Sequence, residues 1–355
     1  MHGHLLLLGV SGPELTLEEA ALYRKLQPAG FILFTRNIVG PAQTRKLTDD
    51  LRSLSQNEPI LAIDQEGGRV TRTKDIAPVL PSAVDLAAQA HPNTIARAGM
   101  LTAELLRMLG FNLNFAPDLD LDHHPTLQNA LRGRCWGRDS QRVIDHAGMW
   151  NRWHRKRSVL TCGKHFPAGG RALSDPHHDL PSCDATLADL LKEDVLPFTA
   201  LMPELDAIML AHVDFPNIDP EFPASLSKRI ITSFLRHQLG FDHHLVLTDD
   251  LDMGAISKRY GRGQDVKLAI EAGNDLALIC HQIDSAELAA KALGEVSFPT
   301  IDDATRRLER FRKKLSGPLP WSDSKWQQTC KDIADLAAGV PSASVTEADS
   351  PVADY

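Results

Sequence analysis

Eight short apolar runs punctuate the chain, at His4–Val10, Gly30–Phe34, Pro59–Ile63, Phe111–Phe115, Ser158–Cys162, Asp206–Ala211, His244–Thr248 and Asn274–Ile279. Each is nearly continuous in apolar residues, which predicts strands buried on both faces. Amphipathic stretches fill the gaps: one after Leu15, then Pro41–Ser55, Pro92–Leu109, Asp139–Arg157, Thr186–Met202, Ser227–Leu239, Gly263–Ala272 and Ser285–Leu293. The first opens with Thr16-Leu17-Glu18-Glu19, a capping box in which the two ends of the first turn satisfy each other's free N–H groups, and it stops at Pro28 and Gly30. Such alternation predicts parallel strands, because each crossover lays a helix over the sheet. Eight units between His4 and Leu293 match an α/β fold of the (β/α)8 TIM-type barrel class. A doubly wound open sheet would call for a glycine fingerprint after a strand, and neither G-x-G-x-x-G nor G-x-x-x-x-G-K-[ST] occurs. Residues Ile301 to Ala338 read as extra C-terminal helices outside the barrel. The expected organisation is one catalytic domain over 1–339 and a disordered tail over 340–355, which carries three acids and no basic residue.

Composition narrows the partners. The 355 residues carry a net charge of −8, which offers no electrostatic footprint for nucleic acid or an anionic membrane face. A small or neutral partner is expected instead. Cys135, Cys162, Cys183, Cys280 and Cys330 are odd in number, scattered and never spaced C-x-x-C, so they predict reduced core residues of a cytoplasmic protein and no thiolate metal site. The apolar run Leu5–Val10 is too short for a signal peptide, and no run approaches the roughly 18–20 residues that span a bilayer.

A barrel carries its chemistry where strands end, so the residues following each run are the candidates. They are Thr35-Arg36-Asn37, Asp64-Gln65-Glu66, Pro117-Asp118, Lys164-His165, His212, Asp249-Asp250 and His281, a ring of polar groups. The segment from Gly163 to Ala185 has no helical period and holds Lys164, His165, Arg171, Asp175, His177 and His178, which marks it as a functional loop. Asp175 lies close enough to His177 to hold its imidazole in one tautomer for proton transfer. Of Asp249 and Asp250, adjacent in a strand, one should face the cavity as a candidate nucleophile and the other the helix layer as a cap. Periodicity does not choose between them.

Four ordered motifs carry a family resemblance: Ile63-Asp64-Gln65-Glu66-Gly67-Gly68-Arg69-Val70, Lys164-His165-Phe166-Pro167, Asp175-x-His177 and Thr248-Asp249-Asp250-Leu251-x-Met253. Together they resemble glycoside hydrolase family 3, in its single-domain β-N-acetylhexosaminidase branch. The resemblance implies a retaining exo-hydrolase that removes terminal β-linked N-acetylglucosamine, from peptidoglycan (muropeptide) recycling or chitin-derived fragments, without cofactor or metal. It makes Asp249 the nucleophile and the Asp175/His177 pair the acid/base, and it implies that Asp64, Arg72, Arg134, Lys164 and His165 hold the sugar. An imidazole titrating near about 6.5 suits both protonating a leaving oxygen and activating water.

The chain also departs from the branch. Lys164-His165-Phe166-Pro167 continues as Ala168-Gly169-Gly170 where the branch usually has Gly-His-Gly, and Pro176 replaces a serine between Asp175 and His177. His178 is therefore a second choice for the working histidine. Three other readings stand beside hydrolysis: a phosphorylase of the same family, a sugar-binding protein that has lost catalysis, and a metal-dependent barrel hydrolase. For the last, His2-Gly3-His4 imitates a metal pair but falls at the bottom of the expected barrel.

Overall fold

Leucine, isoleucine, valine and alanine runs cannot leave both faces of a strand in water, and here they close on themselves. In the computed structural model, which describes residues 2–89, 91–127 and 129–342, eight parallel strands form a closed barrel. They are β1 (Leu6–Leu8), β2 (Gly30–Leu33), β3 (Ile60–Ile63), β4 (Leu113–Asn114), β5 (Leu160–Phe166), β6 (Ala207–Leu210), β7 (Leu245–Asp250) and β8 (Leu276–Ile279). Each strand pairs with its sequence neighbours and β8 returns to β1. The fold is the predicted TIM-type barrel. Every residue of the eight strands is buried except two, His165 and Asp249, near the C-terminal ends of β5 and β7.

Two strands run further than the apolar pattern predicts. β5 continues past Cys162 and carries Lys164 and His165 within it, and β7 continues past Thr248 through both aspartates. Both are irregular at the mouth. Gly163 pairs with Ile208 but Phe166 with Leu210, so β5 gains one residue on β6, and β7 gains one on β8 between the pairs Leu247–Leu276 and Asp250–Leu278. An extra residue re-aims the side chains beside it.

The helices largely follow their amphipathic stretches. Thr16 caps Leu17–Leu26 in the expected capping box. The stretch predicted as one helix over Thr186–Met202 is broken into Leu187–Lys192 and Leu196–Leu201, because Pro197 has no N–H to donate and its ring collides with a preceding carbonyl. Ser227–Leu239 forms a π-helix, Arg229–Gln238. The C-terminal helices are Phe298–Arg312 and Asp323–Ala338, the latter packed on Pro92–Leu109. Val340 is still buried, and the rest of the expected tail from 343 lies outside the described residues. No helix among the described residues is long and apolar enough to cross a membrane.

The bottom of the barrel is locked by a buried charge cluster. Arg236 from the π-helix donates to Asp275 Oδ2 at 2.8 Å and to the Gly273 carbonyl at 2.7 Å, while Asp275 also accepts the Val246 N–H at 2.8 Å and faces Arg307 at 3.2 Å. Removing one partner of a buried pair leaves the other charge without compensation. Arg236→Leu should lower unfolding stability by about 3 kcal/mol, the low end for a buried pair because Arg307 remains, as read by urea denaturation.

Candidate active site

At the other end of the barrel the rim residues converge. A cavity of ≈ 540 Å³, open to solvent, is lined by Asp64, Arg72, Arg134, Lys164, His165, His177 and Asp249 together with apolar walls from Phe34, Val70 and Met253. All but one of the predicted site residues line it. The exception, Asp175, stands directly behind His177. His2 and His4 lie at the opposite end, where His4 Nε2 bonds the Thr305 hydroxyl at 2.9 Å.

The side of the cavity facing β3, β4 and β5 is a chain of buried charges. Lys164 Nζ donates to Asp64 Oδ1 at 2.7 Å and stands 2.7 Å from Glu66 Oε1, and Arg134 donates to both Glu66 oxygens at 2.8 and 2.9 Å. Arg72 closes on Asp64 at 3.8 Å. Burial would raise the Glu66 pKa, but Arg134 and Lys164 outweigh it and hold the carboxyl well below the usual range. Burial likewise opposes charge on Lys164, yet Asp64 and Glu66 keep it an ammonium, its pKa above the ordinary value. With side chains 3% and 5% exposed, Arg72 and Arg134 are interior groups and not surface ion pairs.

Arg72 reaches the cavity through a two-stranded hairpin, Gln65–Gly67 against Val70–Thr71. Gly67 and Gly68 turn it with φ of 106° and 55°, and a Cβ on either would stand 2.5 Å from Pro81 or Ser82. The turn packs closely on residues 81 and 82, which leaves no room for a Cβ at either glycine.

The Asp175–His177 pair is held by a turn. Asp175 C=O accepts the His178 N–H at 3.1 Å, with Pro176 in the second position, whose fixed φ suits a β-turn. Asp175 Oδ1 accepts the His177 N–H at 2.9 Å and faces His177 Nδ1 at 2.6 Å. Pro176 therefore supports the geometry that fixes the imidazole. His177 lines the cavity, whereas His178 is exposed. The turn docks on the segment following β7: Gly254 N–H donates to the His177 carbonyl at 3.0 Å and Ala255 N–H to Pro176 at 3.1 Å.

The two adjacent carboxylates differ. Asp249 Oδ1 accepts the Asp250 N–H at 2.8 Å. Burial works against its ionisation, but His165, His212 and that N–H prevail and hold its carboxyl below the usual range. Asp250 Oδ1 accepts the N–H groups of Asp252 and Cys280 at 3.0 and 3.2 Å, bracing β7 to β8, and Oδ2 stands 3.5 Å from His281. Burial and the neighbouring Asp252 push its pKa up. Contrary to expectation, Asp250 also borders the cavity and does not face the helix layer. The register slip between β7 and β8 turns it inward.

Glu66 and His212 stood in the expected ring of rim residues without an assigned role, and sequence reasoning missed Asp120 as a site residue. Asp120 bonds His165, and His212 Nε2 stands 2.9 Å from the Asp250 carbonyl with Nδ1 2.7 Å from Ser225 Oγ. The alternation Asp118-Leu119-Asp120-Leu121-Asp122, directly after a strand, is the signal that could have marked Asp120.

A Cβ on Gly254 would stand 2.3 Å from the His178 carbonyl and 2.7 Å from that of His177. Gly254→Ala should therefore displace the His177 turn and lower kcat roughly tenfold to a hundredfold, the cost of misplacing a catalytic group by about 1 Å. Thermal melting by circular dichroism should stay near that of the wild type.

The glycosyl hydrolase family 3 N-terminal domain matches residues 4–311. A β-hexosaminidase of Pseudomonas aeruginosa strain LESB58 is 35% identical over 311 residues, 87% of this chain and 91% of that protein. One from Thiobacillus denitrificans is 34% identical, over 86% of this chain and 85% of that one. Among solved structures, a family 3 β-N-acetylglucosaminidase from Paenibacillus sp. FPU-7 superposes with a TM-score of 0.85 at 32% identity, covering 94% of this chain and 68% of that one. NagZ from Neisseria gonorrhoeae superposes at 0.81 with 28% identity, covering 95% and 98%. With its barrel, its ordered motifs and its cavity of paired carboxylates and histidine, the chain belongs to glycoside hydrolase family 3, in the β-hexosaminidase branch.

Proposed function

We propose that the chain is a retaining exo-β-N-acetylhexosaminidase that releases terminal β-linked N-acetylglucosamine. The observation that carries this reading is the convergence of Asp249, ionised and backed by the Asp250 N–H, with the Asp175–His177 pair on one cavity walled by Asp64, Arg72 and Lys164. The charged wall offers acceptors and charge-assisted donors to sugar hydroxyl and acetamido oxygens. The N. gonorrhoeae NagZ structure in complex with N-trifluoroacetyl-D-glucosamine, 28% identical over 95% of this chain, supports an acetamido sugar as ligand.

Asp249 attacks the anomeric carbon while the bond from that carbon to the leaving oxygen breaks, and His177 gives that oxygen its proton. The glycosyl group is then an ester on Asp249. His177, now neutral, takes a proton from water as the water oxygen attacks the same carbon, releasing the carboxylate and restoring the imidazolium. Two displacements leave the sugar in its original β configuration. Residues 1–339 act in this reading as one catalytic unit. Its substrates are peptidoglycan-recycling fragments in the cytoplasm, a compartment in keeping with five cysteines that stand as free thiols.

Release of nitrophenol from nitrophenyl β-N-acetylglucosaminide, beside the β-glucoside, tests the reading. Wild type should turn over the acetamido substrate alone and give free N-acetylglucosamine. Asp249→Ala should lose at least roughly a thousandfold, and His177→Ala roughly 10²–10⁴-fold. Full activity in Asp249→Ala contradicts the nucleophile assignment.

A further inference from the structure

Two histidines of the cavity, His177 and His165, are each backed by an aspartate on the same plan. In one, Asp175 Oδ1 accepts the backbone N–H of His177 at 2.9 Å and faces its Nδ1 at 2.6 Å. In the other, Asp120 Oδ2 accepts the backbone N–H of His165 at 3.1 Å and faces its Nδ1 at 2.7 Å. Their settings differ. His177 sits on a turn, whereas His165 lies inside β5, and His165 and Asp249 are the two residues of the barrel strands that are not fully buried. Both histidines line both lobes of the cavity, the second a space of ≈ 440 Å³ bounded by Leu131, Pro176 and Val213, and Asp249 lies in each.

We propose that Asp120 is a positioning residue for the nucleophile: it holds His165 as a fixed cation beside Asp249, leaving His177 alone to move protons. Asp120 is rigid enough for this, since its other oxygen accepts the Gly170 N–H at 2.8 Å and its side chain is 0% exposed. Burial opposes its ionisation, but His165 and the two backbone N–H groups hold it below the usual carboxylate range. Burial opposes charge on His165 too, and the Asp120 carboxylate overrides that, lifting its pKa above the ordinary imidazole value. The remaining groups around His165 do not reverse the sign. Arg134 Nη2, at 3.4 Å, opposes a cation but is bound to Glu66, while Asp118, at 4.0 Å, favours one when ionised. Burial and Asp120 push the Asp118 pKa up. His212, across the cavity from β6, is held below the ordinary imidazole value by burial, and it favours the Asp249 carboxylate less than His165 does. His177 is the group that changes protonation in the cycle. Among the groups acting on Asp249, His165 is the foremost one favouring its carboxylate.

The inference rests on Asp249 being the nucleophile, and one set of variants separates the two claims. The pH dependence of kcat/KM should be measured with nitrophenyl and dinitrophenyl β-N-acetylglucosaminides for wild type, Asp120→Asn, His165→Gln, His177→Ala and Asp249→Ala. The acid limb follows protonation of Asp249, so losing the neighbouring cation should move it upward by about one pH unit in both Asp120→Asn and His165→Gln. Their loss at neutral pH should persist with dinitrophenolate, a leaving group that needs no acid, whereas the loss in His177→Ala should be largely relieved. An unmoved acid limb with only KM raised would overturn the positioning role and leave His165 as a sugar ligand. Turnover retained by Asp249→Ala would instead bring down the nucleophile reading beneath it. Titration of the His165 ring by NMR in the wild type carries the test if Asp120→Asn misfolds. An imidazolium persisting above about 6.5 is expected, and a ring titrating below that value overturns the proposal.

Discussion

The ammonium of Lys164, 2% exposed and 2.7 Å from both Asp64 and Glu66, joins β5 to the segment that follows β3 in one electrostatic unit. Glu66 passes the link to Arg134, Arg134 stands 3.6 Å from Asp118 and 3.4 Å from His165, and His165 ends the chain on Asp120. Taking so many charges out of water is expensive, and apolar side chains would fill the same space at lower cost. What the charges supply is a wall of oriented donors and acceptors that needs no rearrangement when a polyhydroxylated ligand arrives. Such preorganisation is the usual source of electrostatic catalysis.

Opposite that wall, the catalytic groups are separated by stiffness. Asp249 grows from a barrel strand and its carboxylate is tied to the next backbone N–H, so it cannot wander. His177 rides on a turn supported locally by Asp175 and Pro176, and its carbonyl is bonded to Gly254, four residues beyond Asp250. The acid/base of the proposed mechanism is thus positioned by the same stretch of chain that carries its nucleophile. A double displacement demands that arrangement, since both groups must address one anomeric carbon twice.

Much of this was legible in the chain itself. Buried parallel strands are apolar on both faces, so β1 to β8 stood out as continuous runs, and residues immediately after a run, such as Asp64 and Asp249, pointed to the mouth. The pattern fell short where polar residues sit inside a strand: Lys164, His165 and Asp250 lie in β5 and β7, and one-residue register slips turn consecutive side chains inward against the rule of alternation. Arg72 and Arg134 could be reached only through the family motifs, because a hairpin and a long loop carry them to the cavity. The roles of Glu66 and Asp120 escaped notice for a different reason. They act on other side chains, and a partner 45 residues away, as His165 is from Asp120, leaves no local trace.

The proposed mechanism turns on one covalent bond, between the anomeric carbon and a carboxylate of β7. Incubation with a fluorinated N-acetylglucosaminide that forms the glycosyl-enzyme faster than water resolves it, followed by proteolysis and tandem mass spectrometry, would locate that bond. The predicted result is one N-acetylhexosamine-derived adduct on the peptide containing Thr248-Asp249-Asp250, with fragment ions placing it on Asp249. An adduct on Asp250, or turnover of the unmodified substrate with inversion at the anomeric carbon, would contradict it.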